Sequence, residues 1–264
     1  MKEPDFCSLP SRSTDARHML GRVHSFETFG TLDGPGTRFV LFLQGCMFRC
    51  QYCHNRDTWP MDEGKLYSVE EVVNEILPYT PFFDSSKGGV TVTGGEPLLQ
   101  RQFLCVLFKI LHFHGIHTCL DTSGHLPSSA YGEDLDKLMS HTRLVLLDIK
   151  QMDPRRHQTL TGGTLAPTLE FARYLHRIDK PTWIRYVVVP GLTDDLNDIR
   201  ALAEFLAPLS NIEKVELLPY HSLGEHKWRA YGERSPLEGT PAPLQETLTE
   251  IQNMLQAYGL PTTR

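Results

Sequence analysis

Residues 38–53 read Arg38-Phe39-Val40-Leu41-Phe42-Leu43-Gln44-Gly45-Cys46-Met47-Phe48-Arg49-Cys50-Gln51-Tyr52-Cys53. The opening six residues are of strand length, five of them, Phe39 to Leu43, forming an apolar run continuous enough to be covered on both faces, and Gln44 and Gly45 then lead to three crowded cysteines. Outward from it, strand-like runs recur at Val90–Thr93, Ile116–Leu120, Leu144–Ile149, Trp183–Val189 and Lys214–Leu218. Helical patterns lie between them, as in parallel βα units. Ser68 and Glu71 predict a capping box ahead of Val72, Val73, Ile76 and Leu77, with Pro78 closing the segment. Further helices are expected at Arg101–His114 with Gly115 after its end, and at Glu133–Met139, Thr168–Ile178, Leu196–Leu206 and Leu244–Tyr258. Six such units suit either an open barrel or a doubly wound sheet.

Polar and glycine-rich residues follow every strand: Gln44-Gly45-Cys46, Gly94-Gly95-Glu96-Pro97, Asp121-Thr122-Ser123-Gly124, Asp148 with Lys150, Pro190-Gly191 and Pro219-Tyr220-His221. In parallel α/β folds that edge carries the active site. The cysteine spacing is C-x3-C-x2-C, and soft thiolates select zinc, copper(I) or iron-sulfur clusters. Structural zinc takes four protein ligands, whereas this loop supplies three thiolates and at best His54. Spacing alone leaves an iron-sulfur cluster, zinc and unligated thiols open. A cluster on three cysteines would keep one iron free for a substrate or cofactor. Cys7, Cys105 and Cys119 are expected to be incidental or small buried thiols. Gly94 and Gly95 permit positive φ and close approach to a ligand, although alone they make an ordinary turn. Asp148 and Lys150 alternate along a strand and so share a face, as ligand groups or as a structural ion pair. His221 by itself would be a surface histidine, and Asp33-Gly34-Pro35-Gly36 is either the mouth of the site or a tight turn.

The chain has 264 residues, 40% hydrophobic and 22% charged, which is the composition of a globular protein and excludes a disordered one. No apolar stretch approaches the roughly 20 residues of a spanning helix, so no membrane association is expected. With 26 basic against 32 acidic residues the net charge is -6, leaving no excess of cations for nucleic acid. Met1–Leu20 lacks an apolar export core and is expected to be a flexible leader to a single domain over residues 21–264, in a cytoplasmic protein.

The segment Val23-His24-Ser25-Phe26-Glu27-Thr28-Phe29-Gly30-Thr31-Leu32-Asp33-Gly34-Pro35-Gly36-Thr37-Arg38-Phe39, continuing to Tyr52-Cys53-His54-Asn55, resembles the glycyl-radical-enzyme activases of the radical S-adenosylmethionine superfamily. The similarity continues in order through Asp148-Ile149-Lys150-Gln151-Met152, Trp183 to Gly191 and Leu217-Leu218-Pro219-Tyr220-His221. It implies a partial (β/α)6 TIM-type barrel of parallel strands, in which Cys46, Cys50 and Cys53 bind a 4Fe-4S cluster and the fourth iron chelates S-adenosylmethionine. Matching positions imply that Tyr52, Cys53 and His54 lie beside that cofactor, Gly94, Gly95 and Glu96 around its methionyl end, and Asp148, Ile149, Lys150 and His221 along the rest. Asp121 and Thr122 match a region that helps to hold a monovalent cation.

The implied activity is that of an oxidoreductase. A one-electron donor such as flavodoxin reduces the cluster, S-adenosylmethionine is cleaved, and the 5'-deoxyadenosyl radical takes hydrogen from a backbone glycine of a partner protein. Relatives acting on other glycyl radical enzymes carry a cysteine-rich insert, and Arg56 to Thr93 contains no cysteine. The partner implied is therefore pyruvate formate-lyase, in anaerobic glucose metabolism. Activation of another glycyl radical enzyme and a non-radical metal-binding module are the alternatives. Each of Cys46→Ala, Cys50→Ala and Cys53→Ala should abolish cleavage of S-adenosylmethionine by the reduced protein, because a three-cysteine site has no ligand to spare; turnover retained by any of them, followed by chromatography of the nucleoside product, would refute the ligand set.

Overall fold

The computed structural model describes residues 14–263; Cys7 and most of the expected leader fall outside them. Within the described part of that leader, α1 (Thr14–Arg17) precedes β1, which runs from Leu20 to Gly30. There follow β2 (Arg38–Leu43), β3 (Lys65–Ser68), α2 (Val69–Ile76), α3 (Thr80–Ser86), β4 (Gly89–Gly94), α4 (Arg101–Phe113), β5 (His117–Thr122), α5 (Glu133–Ser140) and β6 (Leu144–Asp148). The remainder is α6 (Pro154–Thr161), α7 (Ala166–Arg177), β7 (Thr182–Val188), α8 (Leu196–Leu206), β8 (Ile212–Pro219), α9 (Glu225–Ala230), α10 (Gln245–Ala257) and β9 (Thr262–Thr263). Among the described residues the strand order is β3-β1-β2-β4-β5-β6-β7-β8-β9. The pairs β2/β4, β4/β5, β7/β8 and β8/β9 are parallel, while β1 runs antiparallel to β2 and β3. The fold is α/β with mostly parallel strands in a sheet that is not closed, as in a partial TIM-type barrel. No helix among the described residues is long and apolar enough to cross a membrane.

The chain divides into two compact units. One comprises the described part of Met1–Cys46 together with Pro60–Thr122 and Leu126–Val145; the other comprises Met47–Trp59, Ser123–His125 and the described part of Leu146–Arg264. All six expected strands and the five helices expected from Arg101 onward form within two residues of their expected bounds.

In the first unit, β2 pairs with β4 from Arg38↔Gly89 to Leu43↔Gly94, and Val40, Leu41, Leu43, Val90 and Val92 are fully buried. On α4, Leu104, Leu107, Phe108 and Leu111 are likewise fully buried, each contributing about 1.5–3 kcal/mol. The capping box is present: Glu71 N donates to Ser68 Oγ at 3.2 Å and Ser68 N donates to Glu71 Oε2 at 2.7 Å. Beyond α2, a 3-10 turn at Leu77–Tyr79 leads into α3, which the sequence did not predict. Pro78 and Pro81 stand in the first turns of these two segments, where a missing N–H costs nothing, so neither breaks the chain direction as a mid-helix proline would. β1 and β3 were also not expected, since both are largely exposed and neither has a continuous apolar run. Cys105, expected to be a small buried thiol, is disulfide-bonded.

At the edge where β2 and β4 begin, the fully buried Arg38 donates to the Val90 carbonyl, to Thr91 Oγ1 at 2.9 Å and to the Pro35 carbonyl at 3.4 Å. Thr91 Oγ1 in turn donates to the Asp33 carbonyl. The Asp33 to Gly36 loop is therefore tied to the first half of β2 and β4 by Arg38 and Thr91. Burial pulls the Arg38 guanidinium down to about 10. Burial, with Arg38 and Arg143 nearby, pushes the His117 imidazole down to about 4, so it is neutral near pH 7.

In the second unit, Thr182, Ile184, Tyr186 and Val188 are buried on one face of β7, while Trp183, Arg185 and Val187 alternate on the other. The buried Tyr186 hydroxyl lies 2.8 Å from Asp198 Oδ2, whose carboxylate also accepts from Met152 N and Asp153 N. Helix α8 thus holds the turn after β6. α6 was not expected, although Asp153 caps it by accepting from Arg155 N and Arg156 N, Pro154 opens it, and Gly162 at φ 75° closes it.

Gly94 has φ 116°, and a Cβ there would lie 2.4 Å from both the N and the O of Leu43. Gly94→Ala should therefore lower stability by about 2 kcal/mol or more in urea unfolding, combining left-handed strain with a clash against backbone; an unchanged midpoint would contradict this geometry.

Candidate functional site

The cysteine loop of the second unit is fixed by backbone. Arg49 N donates to the Thr161 carbonyl at 2.7 Å and Gln51 N to the Leu160 carbonyl at 2.9 Å. Gln51 Nε2 adds a bond to the Thr159 carbonyl at 3.0 Å. The Phe48 ring lies against Gly163, where a Cβ would come within 2.2 Å of it. The C-terminal end of α6 is accordingly the anchor of the loop, a functional element that sequence periodicity missed and that the Asp153-Pro154 start signal offered. Cys53 N donates to the Cys50 carbonyl at 3.1 Å, and neither cysteine is in a disulfide. Burial pushes the Cys53 thiol up.

Tyr52, between those cysteines, is 8% exposed, and its buried hydroxyl has no hydrogen-bond partner among the described residues. The Lys150 ammonium lies 5.7 Å from the Tyr52 ring centroid and 2.9 Å from Asp148 Oδ2. Burial alone would lower the lysine value, but the Asp148 carboxylate outweighs it and holds Lys150 well above the ordinary 10.5. β6 ends at Asp148, and the fully buried Ile149 donates its N–H to the Arg185 carbonyl at 3.1 Å, turning Lys150 back toward Asp148. His54 Nε2 donates to the His221 carbonyl at 2.8 Å, with the two rings 4.2 Å apart. His54 also packs on Gly224, where a Cβ would lie 2.8 Å from its Cα. Burial lowers the His54 imidazole. The second unit thus brings Tyr52 to Lys150 and Asp148, and His54 to His221. On the half-buried face of β7 and β8, Arg185 Nε stands 3.6 Å from Glu216 Oε2 and Lys214 Nζ 2.6 Å from Glu216 Oε1. Sequence reading treated Arg185 as part of a strand only; a charge inside an apolar run was the available signal.

In the first unit, Gly95 N donates to the Leu43 carbonyl at 2.9 Å and Glu96 N to the Gly45 carbonyl at 2.8 Å, so the Gly94 to Glu96 turn is laced to the segment leading into Cys46. Glu96 caps the turn at Pro97–Gln100: its Oε1 accepts from Leu98 N at 3.0 Å and from Thr122 Oγ1. Asp121 Oδ2 accepts from Thr93 Oγ1 at 2.7 Å. Glu96, Asp121 and Thr122, all buried, therefore form one polar patch where β4 and β5 end.

No three His, Cys, Asp or Glu side chains among the described residues are gathered closely enough to hold a single metal ion. A 4Fe-4S cluster takes one thiolate per iron and needs no such gathering. The donor chemistry fits: cysteines outside any disulfide lie in a backbone-anchored loop, and the Tyr52 hydroxyl, without a hydrogen-bond partner among the described residues, and the charged pair beside it suit a zwitterionic ligand.

Asp148→Asn should cost about 2 kcal/mol at pH 7, below the 3–5 typical of a fully buried broken pair because Asp148 is 26% exposed. In the parent, Lys150 titrates above its unfolded value, so the stabilisation is whole below pH 10.5 and fades as pH rises through the raised value. In the variant burial dominates, the lysine value falls, and stability should instead climb with pH up to about 10.5. Urea unfolding across alkaline pH measures this; a variant with the parent's profile would refute it.

Residues 40–206 match the family model described as the Radical SAM superfamily. The pyruvate formate-lyase 1-activating enzyme of Escherichia coli (strain K12) is 48% identical over 241 residues, covering 91% of this chain and 97% of that protein. The pyruvate formate-lyase-activating enzyme of Staphylococcus epidermidis is 49% identical over 249 residues, covering 93% and 99%. Among solved structures, a domain of the pyruvate-formate lyase-activating enzyme from Bacteroides vulgatus superposes with a TM-score of 0.54 at 33% identity, covering 67% of this chain and 98% of that one. With that identity running through nearly the whole length of its relatives, the chain belongs to the radical SAM superfamily and, within it, to the family of pyruvate formate-lyase activating enzymes.

Proposed function

We propose that this chain activates pyruvate formate-lyase by generating a glycyl radical in it, with Cys46, Cys50 and Cys53 as the cluster ligands. Family membership makes a 4Fe-4S cluster and S-adenosylmethionine its cofactors and glycyl radical generation its activity. The single observation that carries the choice of partner is the 48% identity to an activase of that lyase over 91% of the chain.

When bound, the cluster and S-adenosylmethionine supply the power to abstract a hydrogen atom. The protein's residues bind, orient and shield. The fixed Lys150 and Asp148 charges offer complementary groups to a zwitterion, and Tyr52 offers a hydroxyl whose bonding capacity is unspent. His54 and His221 stand together and Ile149 joins Asp148 to Lys150 as further cofactor-binding residues, while Gly94 and Gly95 let backbone approach the methionyl end and Glu96 fixes their turn. Asp121 and Thr122 are the candidate ligands of a monovalent cation. The electron donor is a one-electron carrier such as flavodoxin, and the site of action is the cytoplasm.

Anaerobically purified protein, photoreduced with S-adenosylmethionine and pyruvate formate-lyase, should give a glycyl radical signal in electron paramagnetic resonance that requires all three components. A signal only with a different glycyl radical enzyme would reassign the partner; zinc without acid-labile sulfide in the purified protein would end the radical reading.

A further inference from the structure

The second unit holds a cleft of about 520 Å³, a size that suits a small ligand, and none of the residues that line it is assigned to the cluster or to S-adenosylmethionine. One wall is a side of α6 with Arg155 and Leu160, another is the segment from Gly191 to Asp195 after β7, and Gln51 of the cysteine loop completes the lining. Most of the polar groups here are already engaged. Asp194 Oδ1 accepts from Gly191 N at 2.8 Å, and Asp195 accepts from Asn197 N at 2.9 Å and from Arg156 Nη1 at 2.8 Å. Thr159 Oγ1 donates to the Arg155 carbonyl at 3.0 Å, and Gln51 Nε2 donates to the Thr159 carbonyl at 3.0 Å. Arg155 is different: its backbone N–H is spent on Asp153 Oδ1 at 2.9 Å, but its guanidinium enters no hydrogen bond or salt bridge among the described residues. Leu160 and Leu192 supply apolar surface, and at Gly191 a Cβ would meet nothing within 4 Å, so that wall stands open.

We propose that this cleft binds a small monocarboxylate, its carboxylate on the Arg155 guanidinium and its apolar body against Leu160 and Leu192. The planar fork of a guanidinium meets a carboxylate at two points. The leucines favour an anion that carries an apolar part, and Asp194 and Asp195 on the other wall repel a second negative charge, which selects against a dianion. Occupancy reaches the cysteine loop through its anchor. Gln51 lies between Cys50 and Cys53 in sequence, and its N–H donates to the carbonyl of Leu160, the residue against which the ligand packs. A bound carboxylate therefore braces α6 against the loop and slows the local opening through which the loop amides exchange with water.

Isothermal titration calorimetry of the anaerobically reconstituted protein at pH 8 with butyrate, butylammonium and inorganic phosphate tests the site. Butyrate should bind saturably with one molecule per chain, phosphate should bind more weakly, and butylammonium should not bind. Arg155→Gln should weaken butyrate about tenfold or more, as expected for the loss of a charge-assisted pair. Leu192→Asp, which puts a third carboxylate on the wall, should weaken it in the same direction. Hydrogen exchange at the Arg49 and Gln51 amides should slow when butyrate is added to the parent. Absence of saturable butyrate binding, undiminished affinity in both variants, binding of butylammonium, phosphate binding tighter than butyrate, or exchange at those amides unchanged by bound butyrate would each overturn the inference. The glycyl radical assay is independent of all these outcomes, so the inference and the proposed function fail separately.

Discussion

Two backbone hydrogen bonds, Arg49 N to the Thr161 carbonyl and Gln51 N to the Leu160 carbonyl, hold the cysteine loop to the end of α6. A soft ligand set works only if its thiolates keep their places as charge accumulates on the metal, and a free loop would surrender that order to conformational entropy. The loop instead borrows the rigidity of a helix whose own ends are secured by Asp153 and Gly162. The turn ahead of Cys46 follows the same logic in the other unit, where Gly95 and Glu96 bond to the Leu43 and Gly45 carbonyls. In each case backbone, and not side-chain packing, sets the position of the chemistry.

Charge is handled with equal economy of motion. Lys150 is buried with Asp148 beside it, and the result is an ion pair at 2.9 Å next to a tyrosine hydroxyl that has no hydrogen-bond partner among the described residues. Such a pair adds little net stability, since desolvation consumes most of its Coulombic gain. Under the function proposed above, the pair is preorganised for a charged ligand, whose groups then meet fixed partners instead of reorienting water. Arg38 shows the contrasting use of a buried charge: its donors are spent on the Val90, Thr91 and Pro35 acceptors, and it ties the Asp33 to Gly36 loop to β2 and β4.

Side chains serve the same end beyond Cys53, where Trp228 Nε1 donates to the Cys53 carbonyl. Around that bond stand residues close in sequence to the cysteine, Arg56 and Trp59, and residues of α9 and the turn beyond it, Lys227, Tyr231 and Glu233.

By itself the sequence determined the α/β architecture of mostly parallel strands, because most of the six strands expected are apolar runs set between helical patterns. It also determined the thiol loop and the glycine turn, since C-x3-C-x2-C and Gly94-Gly95 restrict chemistry and backbone locally. β1, β3, α3 and α6 were not legible: they are part-exposed or polar segments stabilised by neighbours distant along the chain, so their periodicity is weak. Only the tertiary structure decided that Thr91 bonds the Asp33 carbonyl, that Glu96 accepts from Thr122, and that Trp228 reaches the Cys53 carbonyl. Each depends on groups brought together by folding across tens of residues or more, and no local propensity encodes such a distance.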